Sequence, residues 1–374
     1  MSAFVVRGWC PDAWRPMAAG DGLLVRVKPR LGRLTRAQLL GLSDAATAYG
    51  NGLIDVTSRA NLQLRGVSGS GWRVLVERLI ALDLVDADPV REKRRTLLVA
   101  PDWQVGDDTH RIATDLLNML EALPDLPGKL GFVIDAGAAP LLGDAPGDFR
   151  IERGSTGSLI LRAEGRACGA ALVRGEEAAS LVRLAHWFVE SGGTAVGRMG
   201  RHGAALPAWA AGEIKPAAAG TPIMPGPHLL GTAVGVPFGQ IDPQAMAALA
   251  ADTLVALRIT PWRVLLAEGA TMADPRLITD AADPLLRTDA CVGAPACPQA
   301  SIDTRTLART LAPFVSGRLH VSGCAKGCAR AGRAEVVVTG RDGMLDLAFD
   351  ARAGAPAAQR DLHPSALLSL FGTD

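Results

Sequence analysis

Four of the six cysteines lie in two pairs near the C-terminal end of the sequence. Cys291 and Cys297 are separated by five residues and Cys324 and Cys328 by three, all within 38 residues. Four thiolates can hold a structural zinc ion or an iron–sulfur cluster. Zinc knuckles favour two-residue gaps, whereas the glycines and prolines beside these cysteines suit a loop whose amides donate to cluster sulfurs. The pattern therefore favours a cluster, with a zinc site or four plain buried thiols as the alternatives.

A second motif, TSRANLQLR at residues 57–65, lies in a stretch that we predict to be one strand over residues 53–67. Alternation along a strand puts every second side chain on one face. That face would present two arginines, two amides and no acid, which suits hydrogen bonding to several carboxylates or phosphates. Its members are Thr57, Arg59, Asn61, Gln63 and Arg65. The alternative is the solvated polar face that antiparallel sheets often have.

Other basic residues are candidates for extending this positive surface. Arg26 and Lys28 share a face of the preceding predicted strand, Arg95 ends a basic run, and Lys129 precedes another predicted strand. A run of charge is more often a solvated surface than a binding site. These assignments therefore depend on support from the other motifs.

The motifs need a scaffold, and the sequence suggests that part of this scaffold occurs twice. Thr35 is a predicted N-cap for a helix that reaches Tyr49 before Gly50, between strands at residues 22–28 and 53–67. Asp242, followed by Pro243, is predicted to cap a second helix to about residue 256, between strands at residues 233–237 and 257–266. The two units are offset by a little over 200 residues. This indicates an internal duplication, with a coincidental match of two similar units as the alternative.

Two longer α/β segments accompany the repeated units. The first has predicted helices at residues 72–84, 110–123 and 176–191, and predicted strands at residues 130–135 and 158–163. The second has a helix near residues 303–311 and a hairpin of residues 334–339 and 344–349. Residues 206–227, rich in alanine, proline and glycine, are a predicted linker. The expected domains are residues 1–69, 70–215, 216–280 and 281–374, in the order A–B–A′–B′.

Composition excludes several classes of protein. The formal net charge of the 374 residues is +1, so no global basic field exists for nucleic acid or for an anionic membrane surface. With 48% hydrophobic residues, the chain is not a mostly disordered one. Prolines and glycines interrupt the apolar stretch at residues 222–241, and the first ten residues lack the apolar run of a signal peptide. We therefore expect a cytoplasmic protein with reduced cysteines and no membrane or nucleic-acid partner.

Taken together, these motifs resemble the sulfite/nitrite reductase superfamily. The similarity lies in RGWCP at residues 7–11, in residues 16–26 and 50–66, in LPGKLGFVID at residues 126–135, and in the cysteine pairs. The resemblance implies an α+β fold: duplicated ferredoxin-like half-domains plus two α/β sulfite/nitrite-reductase-type domains, related by a pseudo-twofold axis. It also implies that Cys291, Cys297, Cys324 and Cys328 hold a 4Fe–4S cluster. The residues implied to contact tetrapyrrole carboxylates are Arg26, Arg59, Asn61, Gln63, Arg65, Arg95 and Lys129.

Within the superfamily, the sequence is most similar to the tetrapyrrole oxygenases of aerobic cobalamin biosynthesis. This similarity implies O2-dependent hydroxylation of precorrin-3A at C20, with lactone formation from the ring A acetate. It further implies a mononuclear non-haem iron and electrons from NADH, supplied directly or through an electron-donor protein. Sulfite reductases have a Lys-x-Lys pattern where this sequence has Lys129 followed by Gly131, which argues against sulfite or nitrite as substrate. A sirohaem-dependent reductase and a non-enzymatic electron-transfer subunit are the alternatives, and no catalytic residue is assigned.

Overall fold

Four five-stranded sheets form the framework of the protein in this computed structural model, which describes residues 10–250, 252–271 and 274–372. Two of the sheets are antiparallel and two are mixed. Strands and helices are numbered along the chain. Part of the N-terminal RGWCP motif, residues 7–9, lies outside the described residues.

The first antiparallel sheet holds the polar motif of residues 57–65. Its strands, in spatial order, are β1 (Met17–Ala19), β2 (Gly22–Val27), β5 (Leu62–Val67), β4 (Ile54–Val56) and β13 (Gln240–Ile241). Four of these strands come from the first repeat, whereas β13 comes from the second.

The other antiparallel sheet has the same plan. In spatial order it contains β11 (Gly226–His228), β12 (Gly231–Gly235), β15 (Val264–Glu268), β14 (Ala256–Ile259) and β3 (Arg33–Thr35). Here the edge strand β3 comes from the first repeat and pairs with β14, while β13 pairs with β4. The two repeats thus exchange one strand each, so each sheet is completed by the other repeat.

The two mixed sheets also share one topology. The first runs β6 (Leu97–Val99), β7 (Phe132–Asp135), β8 (Phe149–Arg153), β9 (Leu159–Ala163) and β10 (Ala170–Ala171). The second runs β16 (Thr288–Ala290), β17 (Leu319–Ser322), β18 (Ala334–Arg341), β19 (Met344–Ala351) and β20 (Gln359–Leu362). In both sheets the first two pairings are parallel and the last two antiparallel. The predicted pseudo-twofold arrangement of two duplicated halves is therefore present.

Local capping explains where the principal helices begin. Thr35 accepts a hydrogen bond from the Gln38 N–H in a capping box, and Asp242 accepts one from the Ala245 N–H. The helices are α1 (Arg36–Tyr49), α2 (Trp72–Ala81), α3 (Pro89–Arg94), α4 (Asp108–Asn118), α5 (Glu177–Glu190), α6 (Gly193–Val196), α7 (Pro243–Ala248), α8 (Thr304–Leu311) and α9 (Pro364–Leu370). Helices α1 and α7 pack together in one core that both antiparallel sheets share. No helix in the described part of the chain is long and apolar enough to cross a membrane.

Three predictions of local structure are wrong. The single strand over residues 53–67 is a hairpin of β4 and β5, and the strand over residues 257–266 is the hairpin of β14 and β15. Each turn needs a left-handed residue, Ala60 at φ 51° and Arg263 at φ 61°, neither of which is a typical turn residue. Helix α7 ends at Ala248 rather than near residue 256, because Ala256 begins strand β14. The four predicted domain boundaries stay predictions.

Candidate functional site

A cavity of about 400 Å³ opens between the first antiparallel sheet, helix α3 and the loop before β7. This volume is within the range of small-molecule sites. Two acids, Asp12 and Asp125, contribute to the wall, and basic side chains outnumber them. The basic lining residues are Arg15, Arg26, Lys28, Arg59, Lys93 and Arg95. Positive charge is thus concentrated in one place in a protein that is nearly neutral as a whole.

The hairpin turn between β4 and β5 positions Arg59 at this cavity. The Thr57 hydroxyl accepts the Arg59 N–H at 3.3 Å and the Asn61 N–H at 3.1 Å, which fixes the turn. Arg59 Nη2 donates to the Lys129 carbonyl at 3.1 Å. A Cβ atom on Gly131 would lie 2.6 Å from Arg59 Nη1, so the guanidinium lies against a residue with no side chain. The loop of residues 129–131 therefore holds the Arg59 guanidinium in place.

An anionic partner stabilises the charged form of Arg59. Burial lowers its pKa, the charges of Arg198 and Arg26 lower it further, and Cys10 and Asp148 oppose this shift. An arginine nevertheless stays charged at neutral pH. A partly desolvated cation beside like charges binds a carboxylate strongly, because the anion restores the lost solvation and relieves the repulsion.

A buried acid organises another part of the cavity wall. Glu92, which is fully buried, lies 3.5 Å from Lys28 Nζ and accepts a hydrogen bond from Arg95 Nη1 at 2.7 Å. Arg95 Nη2 also donates to the Lys28 carbonyl. Burial lowers the pKa of Lys28, and the charge of Glu92 opposes that shift. Sequence reasoning missed Glu92, although it is the single acid in the basic run at residues 91–95 and lies one helical turn before Arg95.

A row of polar side chains crosses four strands of the first antiparallel sheet. Arg26 is paired with Gln63, Gln63 with Asp55, and Asp55 with Gln240. Arg26 donates to Gln63 Oε1 through Nη2 at 2.7 Å and through Nε at 3.1 Å, and Gln240 Nε2 donates to Asp55 Oδ1 at 2.9 Å. Gln63 is thus a neighbour of the cavity that orients Arg26.

The structure separates the seven predicted tetrapyrrole contacts into two groups. Those that line the cavity are Arg26, Arg59, Asn61 and Arg95. Those outside the lining are Gln63, Arg65 and Lys129. Arg65 is nearly buried and donates to both oxygens of Asp21, at 2.9 and 3.0 Å, and to Asp55 at 3.2 Å. Burial tends to lower the pKa of Arg65, but the two carboxylates raise it above its ordinary value.

The ion pairs of Arg65 predict a contribution to stability. We expect Arg65→Ala to lower the free energy of unfolding by about 3–5 kcal/mol, because it leaves two poorly solvated carboxylates without their partner. Urea denaturation measures this change. Arg30→Ala serves as the control, since it breaks an exposed pair with Asp83 and should cost less than about 1 kcal/mol. Equal losses in the two variants would contradict the structural role of Arg65.

The cysteine pairs meet because they follow neighbouring parallel strands. Cys291 comes directly after β16, and Cys324 comes two residues after β17, so both pairs lie at the carboxyl edge of this sheet. The Gly323 N–H donates to Cys291 Sγ at 3.3 Å. Burial raises the pKa of the Cys328 thiol, Lys326 opposes this shift, and Cys291, Cys324 and Cys297 raise it further. The four thiols therefore share one electrostatic environment.

The four thiols fit a 4Fe–4S cluster, and the Gly323 N–H that donates to Cys291 Sγ is the kind of amide hydrogen bond that cluster sulfurs accept. A structural zinc ion needs four ligands around one centre, whereas a 4Fe–4S cube takes one thiolate at each of four separated irons. The cysteine loop also touches the first antiparallel sheet. A Cβ atom on Gly20, in the β1–β2 turn, would lie 2.5 Å from the Ala296 carbonyl oxygen.

A buried carboxyl group in the first mixed sheet predicts a pH-dependent stability. Burial raises the pKa of Asp135 to about 7, the Leu142 N–H opposes the shift, and Asp102 and Glu152 add to it. The folded protein therefore keeps a proton that the unfolded chain releases near pH 4. Because of this difference, the free energy of unfolding should fall by about 4 kcal/mol in total as the pH rises from 4 to 7. We expect Asp135→Asn to flatten this slope in melting temperatures measured between pH 5 and pH 8. Asp342→Asn, in the exposed β18–β19 turn, is the control, and an unchanged slope in Asp135→Asn would refute the assignment.

Comparison with known proteins finds relatives that share this architecture. Residues 15–82 match the nitrite/sulfite reductase ferredoxin-like half domain. A precorrin-3B synthase from Sinorhizobium sp is 31% identical over 95% of this chain and 85% of its own length. A ferredoxin–nitrite reductase from Synechococcus elongatus is 28% identical over 34% of this chain and 27% of its own. The solved structure of the Mycobacterium tuberculosis NirA protein superposes with a TM-score of 0.58 at 16% identity, covering 93% of this chain and 79% of that one. The fold class predicted from the sequence is confirmed.

Proposed function

Because this chain belongs to the precorrin-3B synthase family, we propose that it catalyses the O2-dependent hydroxylation of precorrin-3A at C20, with lactone formation from the ring A acetate. One oxygen atom of O2 enters the macrocycle and the other leaves as water. This stoichiometry requires two electrons and two protons in addition to the substrate. The proposal makes the protein a monooxygenase that draws its electrons from NADH, directly or through an electron-donor protein.

The observation that supports this proposal best is the cationic cavity. A tetrapyrrole precursor presents many carboxylates around a flat apolar ring, so its site needs several cations together with apolar contacts. The cavity offers both: basic side chains on the walls described above, and Leu97, Leu98 and Phe132 among the remaining lining residues. Sulfite or nitrite would need only a small anion pocket. In the Lys-x-Lys pattern that binds such an anion, the second lysine position is Gly131 in this chain, and the Arg59 guanidinium lies against that glycine.

We assign separate roles to the predicted contact residues. Arg59 and Arg26 bind substrate carboxylates, and Asn61 donates a hydrogen bond beside them. Arg95 binds a further carboxylate, and Glu92 fixes its direction. Gln63 orients Arg26 and Lys129 supports Arg59 through its carbonyl, so both act through a neighbour. Arg65 acts through Asp55, the acid at the centre of the polar row. Together these residues hold the macrocycle in one orientation and leave C20 to react.

Cys291, Cys297, Cys324 and Cys328 would hold a 4Fe–4S cluster, whose chemistry is to supply electrons one at a time. The proposal also includes the mononuclear non-haem iron implied by the family. No described group of three ligands fits it, so no residues are assigned to that iron and no step is derived through it. The chain's own contribution to the reaction is to bind and orient the carboxylates and to hold the cysteine loop against the sheet that lines the cavity.

The proposal is tested by anaerobic absorption and EPR spectra of the purified protein, before and after reduction, with analysis of iron and acid-labile sulfide. We expect a broad cluster absorbance, a reduced-cluster EPR signal and no haem band, followed by conversion of precorrin-3A when O2 and reductant are added. A sirohaem band with reduction of nitrite or sulfite would replace the proposal by the reductase alternative. A protein whose cluster reduces and reoxidises without converting the tetrapyrrole would indicate an electron-transfer subunit.

A further inference from the structure

Arg305 is a partly buried cation that the proposed function does not use. It is the second residue of α8, and its Nε and Nη1 atoms are inaccessible to solvent without a hydrogen-bond partner in the described structure. Unpaired buried charge is expensive, so such a group is usually satisfied by something that the bare chain does not supply. The position of Arg305 indicates what that is.

The surroundings of Arg305 connect it to the cysteine site. The neighbours that act on it electrostatically are Asp55, Arg65, Cys291 and Arg309. The Asp55 carboxylate is already hydrogen-bonded to Arg65 at 3.2 Å and to Gln240 at 2.9 Å, and it forms no ion pair with Arg305. Asp55 therefore does not supply the missing hydrogen-bond partner of the Arg305 guanidinium.

The residue before Arg305 contacts a cluster ligand directly. The Thr304 hydroxyl donates to the Cys291 carbonyl at 2.6 Å and lies 4.0 Å from Cys291 Sγ. Helix α8 therefore begins against the cysteine loop. A 4Fe–4S core held by four thiolates has a net negative charge, and this charge increases by one when the cluster accepts an electron.

We propose that Arg305 provides the positive charge that favours the reduced state of the cluster. This inference rests on the proposed cofactor. One-electron reduction adds one negative charge, and the fixed guanidinium stabilises it without a proton transfer. Arg305 is thus a positioned charge that raises the reduction potential, and it is not a cluster ligand. Because two of its nitrogens are buried, the interaction is stronger than an exposed cation would give.

The test is an EPR-monitored redox titration of the cluster-loaded protein and its Arg305→Met variant. We expect at least a tenfold fall in the equilibrium constant for reduction, equivalent to 59 mV for one electron. Arg305→Lys keeps the charge and should remain closer to the parent protein. Arg309→Met is the matched control, since it removes the same charge from an exposed position one turn further along α8.

Each result decides a separate question. An unchanged potential in Arg305→Met with full iron content overturns the inference, as does an equal shift in Arg309→Met or an equally large shift in Arg305→Lys. Loss of tetrapyrrole binding without a change in potential would also overturn it, because Arg305 would then be a substrate contact. If Arg305→Met does not retain the cluster, Arg305→Gln provides the same comparison. A parent protein without iron and sulfide refutes the proposed cofactor itself.

Discussion

Replacing Cys324 by serine is expected to remove almost all iron and acid-labile sulfide from the purified protein. Serine is a poor substitute for the soft thiolate that a cluster iron prefers, and Cys324 follows the strand whose carboxyl edge brings the two cysteine pairs together. The broad visible absorbance and the EPR signal of the reduced protein should disappear together. Metal analysis and spectra of anaerobically purified protein provide the measurement.

Cys168→Ser is the matched control for this experiment. Cys168 is also a free, partly buried cysteine, but it lies just before β10 in the first mixed sheet. We expect its variant to retain full iron, sulfide and absorbance. Full cluster occupancy in Cys324→Ser, or equal loss in both variants, would show that the four cysteines are not the ligands.

The second large effect is expected from Arg59→Ala. Loss of one desolvated, charge-assisted contact of about 1.5–3 kcal/mol should weaken tetrapyrrole binding by roughly 10- to 150-fold. The cluster spectrum should stay intact, because Arg59 lies at the hairpin turn of the first antiparallel sheet, whereas the four cluster cysteines lie at the carboxyl edge of the second mixed sheet. Fluorescence or absorbance titration with precorrin-3A under anaerobic conditions measures the affinity without turnover.

Two further variants make this result specific. Arg59→Lys retains the charge but loses the planar fork, and it should bind with intermediate affinity. Arg30→Ala removes an exposed cation outside the cavity lining and should bind normally, which excludes a general effect of net charge. Normal binding by Arg59→Ala would require the site to be placed elsewhere.

Short-range signals predicted much of the fold. The caps at Thr35 and Asp242 and the glycine after Tyr49 fixed the starts of α1 and α7 and the end of α1, because capping depends on side chains within a few residues. The cysteine pairs could also be identified from the sequence, because their spacing limits the metal centres that they can form. The strand exchange could not be predicted from the sequence, because β3 and β14 are more than 200 residues apart and no local pattern specifies their pairing.

The missed hairpin at residues 57–60 has a physical explanation. From Arg59 to Arg65 polar and apolar residues alternate as they do in a strand, and Ala60 adopts a left-handed conformation that glycine or asparagine would have indicated. The second repeat contained the missing signal. Pro261 follows Thr260 at the equivalent turn and cannot lie in the middle of a central strand. If the same turn had been assumed in the first repeat, Arg59 would have been predicted to lie in a loop instead of on a sheet face.

The cavity was only partly predictable for a related reason. Arg26, Arg59 and Asn61 come from one sheet, but Arg95 reaches the site through Glu92, whose importance depends on complete burial. Its burial depends on contacts with segments distant in the chain, such as Lys28, and the sequence of the basic run does not reveal them. Arg65 illustrates the converse case, because the acids that engage it, Asp21 and Asp55, lie on two different segments.

The reciprocal placement of β3 and β13 has a consequence for biosynthesis. After β4 leaves the ribosome, its open edge has no partner until β13 has been made, more than 180 residues later. At about 5–20 residues per second this interval lasts about 10–40 s. Throughout that time the first sheet presents an unpaired edge, which is a template for aggregation. The yield of native protein should therefore depend on chaperones that bind nascent chains, and slower translation of residues 57–239 should lower it.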